Sequence, residues 1–190
     1  MKPVNIAIVG MGTVGGATIR ILDENAAELE RKLGFKLHLR AAASLEVEKR
    51  EEVDAPTGRR LLTRDWREAV EHPEVDIVVE VVGGTTLAYE IQKTALSLGR
   101  AVVSANKELL GQRGAELAQL AREHKTSLHL EASAGGGIPI LNALREGIAA
   151  DRIEAVYGIL NGTCNFILTE IERTGAAFAD ILAEAQRRGY

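Results

Sequence analysis

The segment Gly10-Met11-Gly12-Thr13-Val14-Gly15 constrains the fold more than any other stretch of the chain. Behind it lies a short apolar run, Val4–Val9, that reads as a buried strand. Ahead of it, Ile19, Leu22, Ala26, Leu29 and Leu33 recur at helical spacing. The spacing predicts a helix from Ala17 to about Leu33, closed by Gly34. A strand, a G-x-G-x-x-G turn and a helix in that order make a dinucleotide-binding unit. Gly10 permits the tight turn, Gly12 lets bare main chain approach a pyrophosphate, and Gly15 lets the helix pack close to the strand. The helix N-terminus offers free N–H groups and a partial positive charge to phosphates. The plainer reading is an ordinary glycine-rich turn, and the position, spacing and flanking elements weigh against it.

Beyond the loop, strands and helices alternate. Phe35–Ala43 reads as a second strand, and residues 45–62 as irregular, broken by Pro56 and Gly58. A short helix over Asp65–Glu71 precedes the most apolar strand, Val75–Val82. Helix Thr85–Leu98, strand Arg100–Ser104, helix Gly114–His124 and strand Ser127–Glu131 follow. This alternation is the signature of a Rossmann-type, doubly wound parallel α/β sheet. The character changes near residues 125–135. We read 1–130 as a dinucleotide-binding domain and 131–190 as the opening of a second domain, α+β in character. In the latter, Pro139 opens a helix over Ile140–Glu146, Arg152–Leu160 reads as a strand, and Thr163–Arg173 and Phe178–Arg188 read as helices. An exposed strand at Arg152–Leu160 would pair with another copy, so a homo-oligomer is expected.

Composition narrows the function classes. With 23 basic and 27 acidic side chains among 190 residues, the net charge of −4 and the lack of a basic stripe argue against nucleic acid. No apolar run is long enough to span a membrane, and the N-terminus lacks a secretory signal. The single cysteine, Cys164, cannot form an internal disulfide, which fits a cytoplasmic protein. The four histidines show no ligand spacing, so no transition-metal site is expected.

Several residues are candidates for chemistry. The second strand ends in Ala42-Ala43-Ser44 without the acid that would hold an NAD ribose. Ser44 could meet a 2′-phosphate, with Lys49 and Arg50 supplying charge, which leans to NADP over NAD; the same residues could simply be solvated. Lys107 lies just past the carboxyl end of a strand, where open α/β sheets bind ligands. Desolvation there would suit it to proton transfer, and a solvent-facing lysine is the alternative. Thr85, after Gly83-Gly84, could cap a helix and face the cofactor. The run Gly135-Gly136-Gly137 frees carbonyls to converge on a cation, or forms an anion nest or hinge. Asn161 or Thr163 could cap a helix. Cys164 reads as a packing residue, with a thioester-forming nucleophile as the alternative.

Five segments carry a family resemblance: Ile8–Gly15, Asp76–Gly84, Ser104–Lys107, Glu131–Pro139 and Gly158–Leu168. Together they make the chain similar, nearly end to end, to the N-terminal part of homoserine dehydrogenase. The resemblance implies NAD(P)-dependent interconversion of L-homoserine and L-aspartate 4-semialdehyde, in the biosynthesis of threonine, methionine and isoleucine. It implies cofactor contacts at Gly10, Gly12, Thr13, Val14, Gly15, Ser44, Gly84, Thr85 and Lys107, with Lys107 also catalytic. It implies that 131–190 is the beginning of an incomplete α+β substrate/catalytic and dimerisation domain, with substrate contacts at Asn161, Gly162 and Thr163. It also implies a monovalent cation, Na+ or K+, at Glu131 and the carbonyls of Ala134, Gly136 and Ile138. The family continues into an acid-rich segment with a glutamate, an aspartate and a proton-transferring lysine, and this sequence stops before it. The expectation is therefore cofactor binding with little or no turnover by these 190 residues alone. A non-catalytic NAD(P)-binding module and a cysteine-dependent semialdehyde dehydrogenase remain the other readings.

Overall fold

β1 (Val4–Val9) is buried at five of its six positions, as expected of a central strand covered on both faces. The computed structural model describes residues 2–46, 60–159 and 161–188. Around β1 it sets β2 (Leu37–Ala43), β3 (Leu61–Thr63), β4 (Ile77–Glu80), β5 (Ala101–Ser104) and β6 (Leu128–His129) in the order β3-β2-β1-β4-β5-β6. All five pairings are parallel. This is the Rossmann order, and it reverses direction between β1 and β4, where a ligand crevice forms.

Alternation along β1 decides which side each residue serves. Ala7 and Val9 join one buried cluster, and Ile6 and Ile8 join another. The first cluster takes in Val70 of α3 (Trp66–Val70), Ile91 and Ala95 of α4 (Thr86–Ser97), and Leu109, Leu117 and Ala121 of α5 (Lys107–Glu123). The second takes Ile19 from α1 (Thr13–Glu24), with Leu22 packed against it. Each fully buried Ile or Leu contributes about 1.5–3 kcal/mol through burial alone.

Several elements differ from the sequence reading. The single helix to Leu33 is two, α1 and α2 (Ala26–Leu33), parted at Asn25. There the Asn25 amide donates back to the Ile21 carbonyl (3.1 Å), so the side chain competes with the helix's own bonds. α5 starts at Lys107, seven residues before the expected Gly114, because the Asn106 side chain caps it and Leu109 anchors its first turn in the core. β3 emerges from the end of the span read as irregular; Pro56 and Gly58 lie outside the described residues.

The described chain divides into two compact units, Met1–Leu130 and Glu131–Tyr190. The second holds a turn at Glu131–Ser133, α6 (Ile140–Asn142) widening into a π-turn over Ala143–Gly147, α7 (Gly162–Thr174) and α8 (Phe178–Arg187). α7 and α8 bury Ile167, Ile181 and Ala185 between them. The strand expected at Arg152–Leu160 is absent: residues 151–159 are exposed and carry no strand, and Leu160 lies outside the described residues. Among the described residues this unit offers no neighbouring strand, so nothing satisfies an extended backbone there.

Candidate functional site

The glycine loop has the shape its spacing predicts. Gly10 holds φ +99°, and a Cβ on it would lie 2.6 Å from the Val81 carbonyl oxygen. A Cβ on Gly15 would lie 1.9 Å from the Gly10 carbonyl oxygen, so α1 approaches the strand as only glycine allows. At Gly12 nothing stands within 4 Å of that position. Gly12 is also the N-cap of α1, with no side-chain cap bond and no acid in the first turn. The amides of the first turn therefore lack intrahelical acceptors and meet no competing carboxylate from their own helix.

At the adenosine end of such a crevice, the Ser44 N–H donates to the Thr63 carbonyl (3.1 Å) and the Ser44 hydroxyl accepts from the Glu46 N–H (3.3 Å). Lys49 and Arg50 lie outside the described residues.

Sequence reasoning missed the structure under the other half of the crevice. Glu80 ends β4 and is completely buried. One carboxylate oxygen accepts from the Val82 N–H (2.9 Å); the other accepts from Gln92 Nε2 (2.7 Å) and the Ser104 hydroxyl (2.9 Å). Ser104 in turn accepts from Gln92 Nε2 (3.0 Å) and the Asn106 N–H (3.1 Å). Asn106 donates through Nδ2 to the Gly84 carbonyl (2.6 Å) and accepts at Oδ1 from the Leu109 N–H (3.1 Å). The signal was in the sequence: an acid inside the most apolar strand, Ile77-Val78-Val79-Glu80-Val81-Val82.

This network ends at the Gly84 carbonyl and, through the Asn106 cap, at the first turn of α5, which Lys107 begins. Gly83 and Gly84 are exposed at positive φ (76° and 65°), presenting bare main chain. Thr85 stands at the N-cap position of α4, but its side chain makes no cap bond, contrary to the sequence reading. Its backbone there is already helical rather than extended, which takes the hydroxyl away from the cap direction. Lys107 is the first residue of α5 and is exposed. Any desolvation of its ammonium must come from what binds over it. A cation at the positive end of a helix is locally unfavourable by roughly 0.3–1 kcal/mol, and the cap of α5 is Asn106 rather than Lys107.

In the second unit, both carboxylate oxygens of Glu131 are engaged by the start of α6, from the Leu141 and Asn142 N–H groups (2.9 Å each). The turn between them is closed by the Ile138 N–H on the Gly135 carbonyl (3.2 Å), with the Ile138 carbonyl accepting from Ile140 (2.8 Å). Of the two candidate caps for α7, Asn161 makes the bond, accepting from the Cys164 N–H (2.9 Å). Cys164 is exposed, which corrects its reading as a packing residue. The packed face of α7 begins at Phe166 and Ile167, beyond the first turn that holds Cys164. Among the described residues no cluster of three or more His, Cys, Asp or Glu could hold a metal, and no helix is long and apolar enough to cross a membrane.

Comparison with known proteins covers both units. Residues 10–131 match the family model described as the NAD-binding domain of homoserine dehydrogenase, and residues 139–190 match the model described as homoserine dehydrogenase. The whole chain is 45% identical to a homoserine dehydrogenase of Neisseria gonorrhoeae and 43% identical to one of Pseudomonas aeruginosa, and spans 43% of the length of each. A crystal structure of the Thiobacillus denitrificans homoserine dehydrogenase superposes with a TM-score of 0.89 at 44% identity, over all of this chain and 43% of that one. A hyperthermophilic archaeal homoserine dehydrogenase in complex with NADPH superposes with a TM-score of 0.77 at 29% identity, over 99% of this chain and 62% of that one.

Proposed function

The chain belongs to the homoserine dehydrogenase family, and from that membership we propose that it binds a nicotinamide dinucleotide on its glycine loop, as part of an enzyme interconverting L-homoserine and L-aspartate 4-semialdehyde. The observation that carries this is the open approach at Gly12 onto the uncapped amides of α1. The loop fits a diphosphate: the amides supply donors, and no side chain fills the space a phosphate needs. Gly10, Gly12, Thr13, Val14 and Gly15 hold the phosphates; Gly84, Thr85 and Lys107 face the nicotinamide half. When bound, that ring exchanges a hydride with the terminal carbon of the substrate.

Lys107 then orients the substrate's alcohol or carbonyl oxygen and stabilises charge on it. Asn161, Gly162 and Thr163 are the proposed substrate contacts among residues 131–190. We infer NADP as the preferred cofactor: Ser44 stands where an NAD enzyme has an acid, and an archaeal relative has been solved in complex with NADPH. We propose a monovalent cation at Glu131 and the carbonyls of Ala134, Gly136 and Ile138, an oxygen-only donor set suited to a hard ion. Each carboxylate oxygen keeps a lone pair beyond the one its amide partner uses. The protein is proposed to act in the cytoplasm on this small substrate as a homo-oligomer. Exposed Tyr157, Ile159 and Leu168 in the second unit support an interface.

Calorimetric titration with NADPH and NADH tests the reading. Binding of both, NADPH more tightly, is expected, with Ser44→Asp reversing the order. Absence of heat from either coenzyme overturns it.

A further inference from the structure

Glu80 is a fully buried carboxylate whose partners among the described residues are three neutral donors and no cation. Its neighbour Gln92, equally buried, leaves Oε1 without a donor among the described residues. A core built for stability alone would hold apolar side chains here, because a buried charge without a counter-ion and an orphaned acceptor both cost free energy. What the arrangement provides is linkage between two turns. One oxygen fixes the amide of Val82, leading into Gly83-Gly84, and the other fixes Ser104. Ser104 holds the amide of Asn106, which caps the helix that Lys107 begins and clamps the Gly84 carbonyl.

We propose that Glu80 is a positioning residue: it locks the β4–α4 turn to the start of α5, setting Gly84 and Lys107 for the nicotinamide half of the cofactor. It touches neither cofactor nor substrate. The inference rests on the nucleotide-binding reading above. Its specific content is a division of labour along the crevice, in which the Gly10–Gly15 loop holds the diphosphate and adenosine half independently of Glu80.

The test compares wild type, Glu80→Gln and the exchanged pair Glu80→Gln/Gln92→Glu in the full chain. Each is titrated with NADPH and with 2′-phospho-ADP-ribose, which lacks the nicotinamide. Glu80→Gln keeps the shape but sets one amide against another. It is expected to weaken NADPH about tenfold or more, the scale of one lost charge-assisted bond, and to leave the truncated ligand unchanged. The exchanged pair returns an acceptor opposite a donor and is expected to recover most of the loss. Amide exchange without ligand supplies a readout independent of the cofactor: Val82, Asn106 and Leu109, whose amides donate into the network, are expected to exchange faster in Glu80→Gln alone. Equal weakening of both ligands, or unchanged exchange at these amides, overturns the proposal. Wild type that binds neither ligand overturns the nucleotide reading instead, and the proposal about the cofactor with it. If Glu80→Gln does not fold, Ser104→Ala carries the same comparison, with a smaller expected loss of NADPH affinity and the same spared fragment.

Discussion

The two units of this chain solve the burial problem to different depths. Met1–Leu130 sandwiches a six-stranded sheet between two buried clusters, and its glycine loop and polar network rest on that platform. Glu131–Tyr190 buries only Ile167, Ile181 and Ala185 among its described apolar residues, and exposes Ile138, Tyr157, Ile159, Leu168 and Phe178. A segment of this size gains little from burial, so its order leans on caps, ion pairs and turns. Chemistry that needs rigid main chain, such as a diphosphate cradle, belongs on the first unit. The second can supply side chains, held by a few local bonds.

The largest effects are expected where the first unit has no room to adjust. Gly15→Val drives a side chain into the Gly10 carbonyl. It should abolish nucleotide binding and destabilise the first unit by about 3 kcal/mol or more. Gly12→Ala enters open space and should leave the melting temperature nearly unchanged while weakening NADPH by about a hundredfold. If both variants lost stability equally, the loop would be a structural turn and the platform argument would fail.

Next come the cores. Ile91→Ala should cost about 2–5 kcal/mol and shift the unfolding transition reported by Trp66, the single tryptophan, which packs against the same cluster. Ile167→Ala should leave that transition in place and instead speed proteolysis within residues 162–187. A common shift in both would mean that the units unfold as one.

These contrasts also mark what could be read from the sequence. The parallel sheet and glycine loop were legible because periodicity and glycine spacing are local and each glycine meets a steric demand. The split at Asn25 was not, because apolar spacing continues through it while the side chain adds a second donor at the Ile21 carbonyl. The strand assigned to residues 152–160 failed because a strand needs a partner, and alternation along one segment says nothing of partners. The Glu80 network was signalled only by an acid in an apolar run. Of its partners, Gln92 and Ser104 come from elements distant in sequence, and only tertiary contact brings them to the carboxylate. Cys164 was misjudged from composition, since burial follows the face of a helix and not the residue type.

Smaller effects separate the two helix caps. Asn161 makes one cap bond, and Asn161→Ala should cost about 1 kcal/mol, confined to faster amide exchange at the start of α7. Asn106 caps α5 and also clamps Gly84, so Asn106→Ala should cost about 2 kcal/mol and weaken NADPH as well. A loss of stability at Asn106 without loss of affinity would detach the polar network from the site.

The smallest effect concerns charge, and it bears on the weaker unit. Bonds from Arg187 and then Arg188 hold the Glu184 carboxyl below its ordinary value, and Arg173 does the same for Glu170. In the first unit, bonds from Tyr89 and then Arg113 lower Glu116. A carboxylate whose folded pKa is depressed adds stability that is complete above the unfolded value of about 4.5 and is lost as pH falls through the folded one. All three pairs are solvated, so each contribution is small and screened by salt. On the first unit's large core the loss should not register in Trp66 fluorescence between pH 6 and the onset of global acid unfolding. On the second it should, because two of the pairs brace α7 and α8 around three buried side chains: amide exchange over residues 162–187, corrected for its intrinsic pH dependence, should lose protection below about pH 4.5. Repeating the titration in 1 M salt should reduce that loss by weakening the pairs at the higher pH as well. Protection that falls in step in both units would place the acid sensitivity in the shared fold rather than in these pairs, and the contrast between a platform and a locally braced segment would not stand.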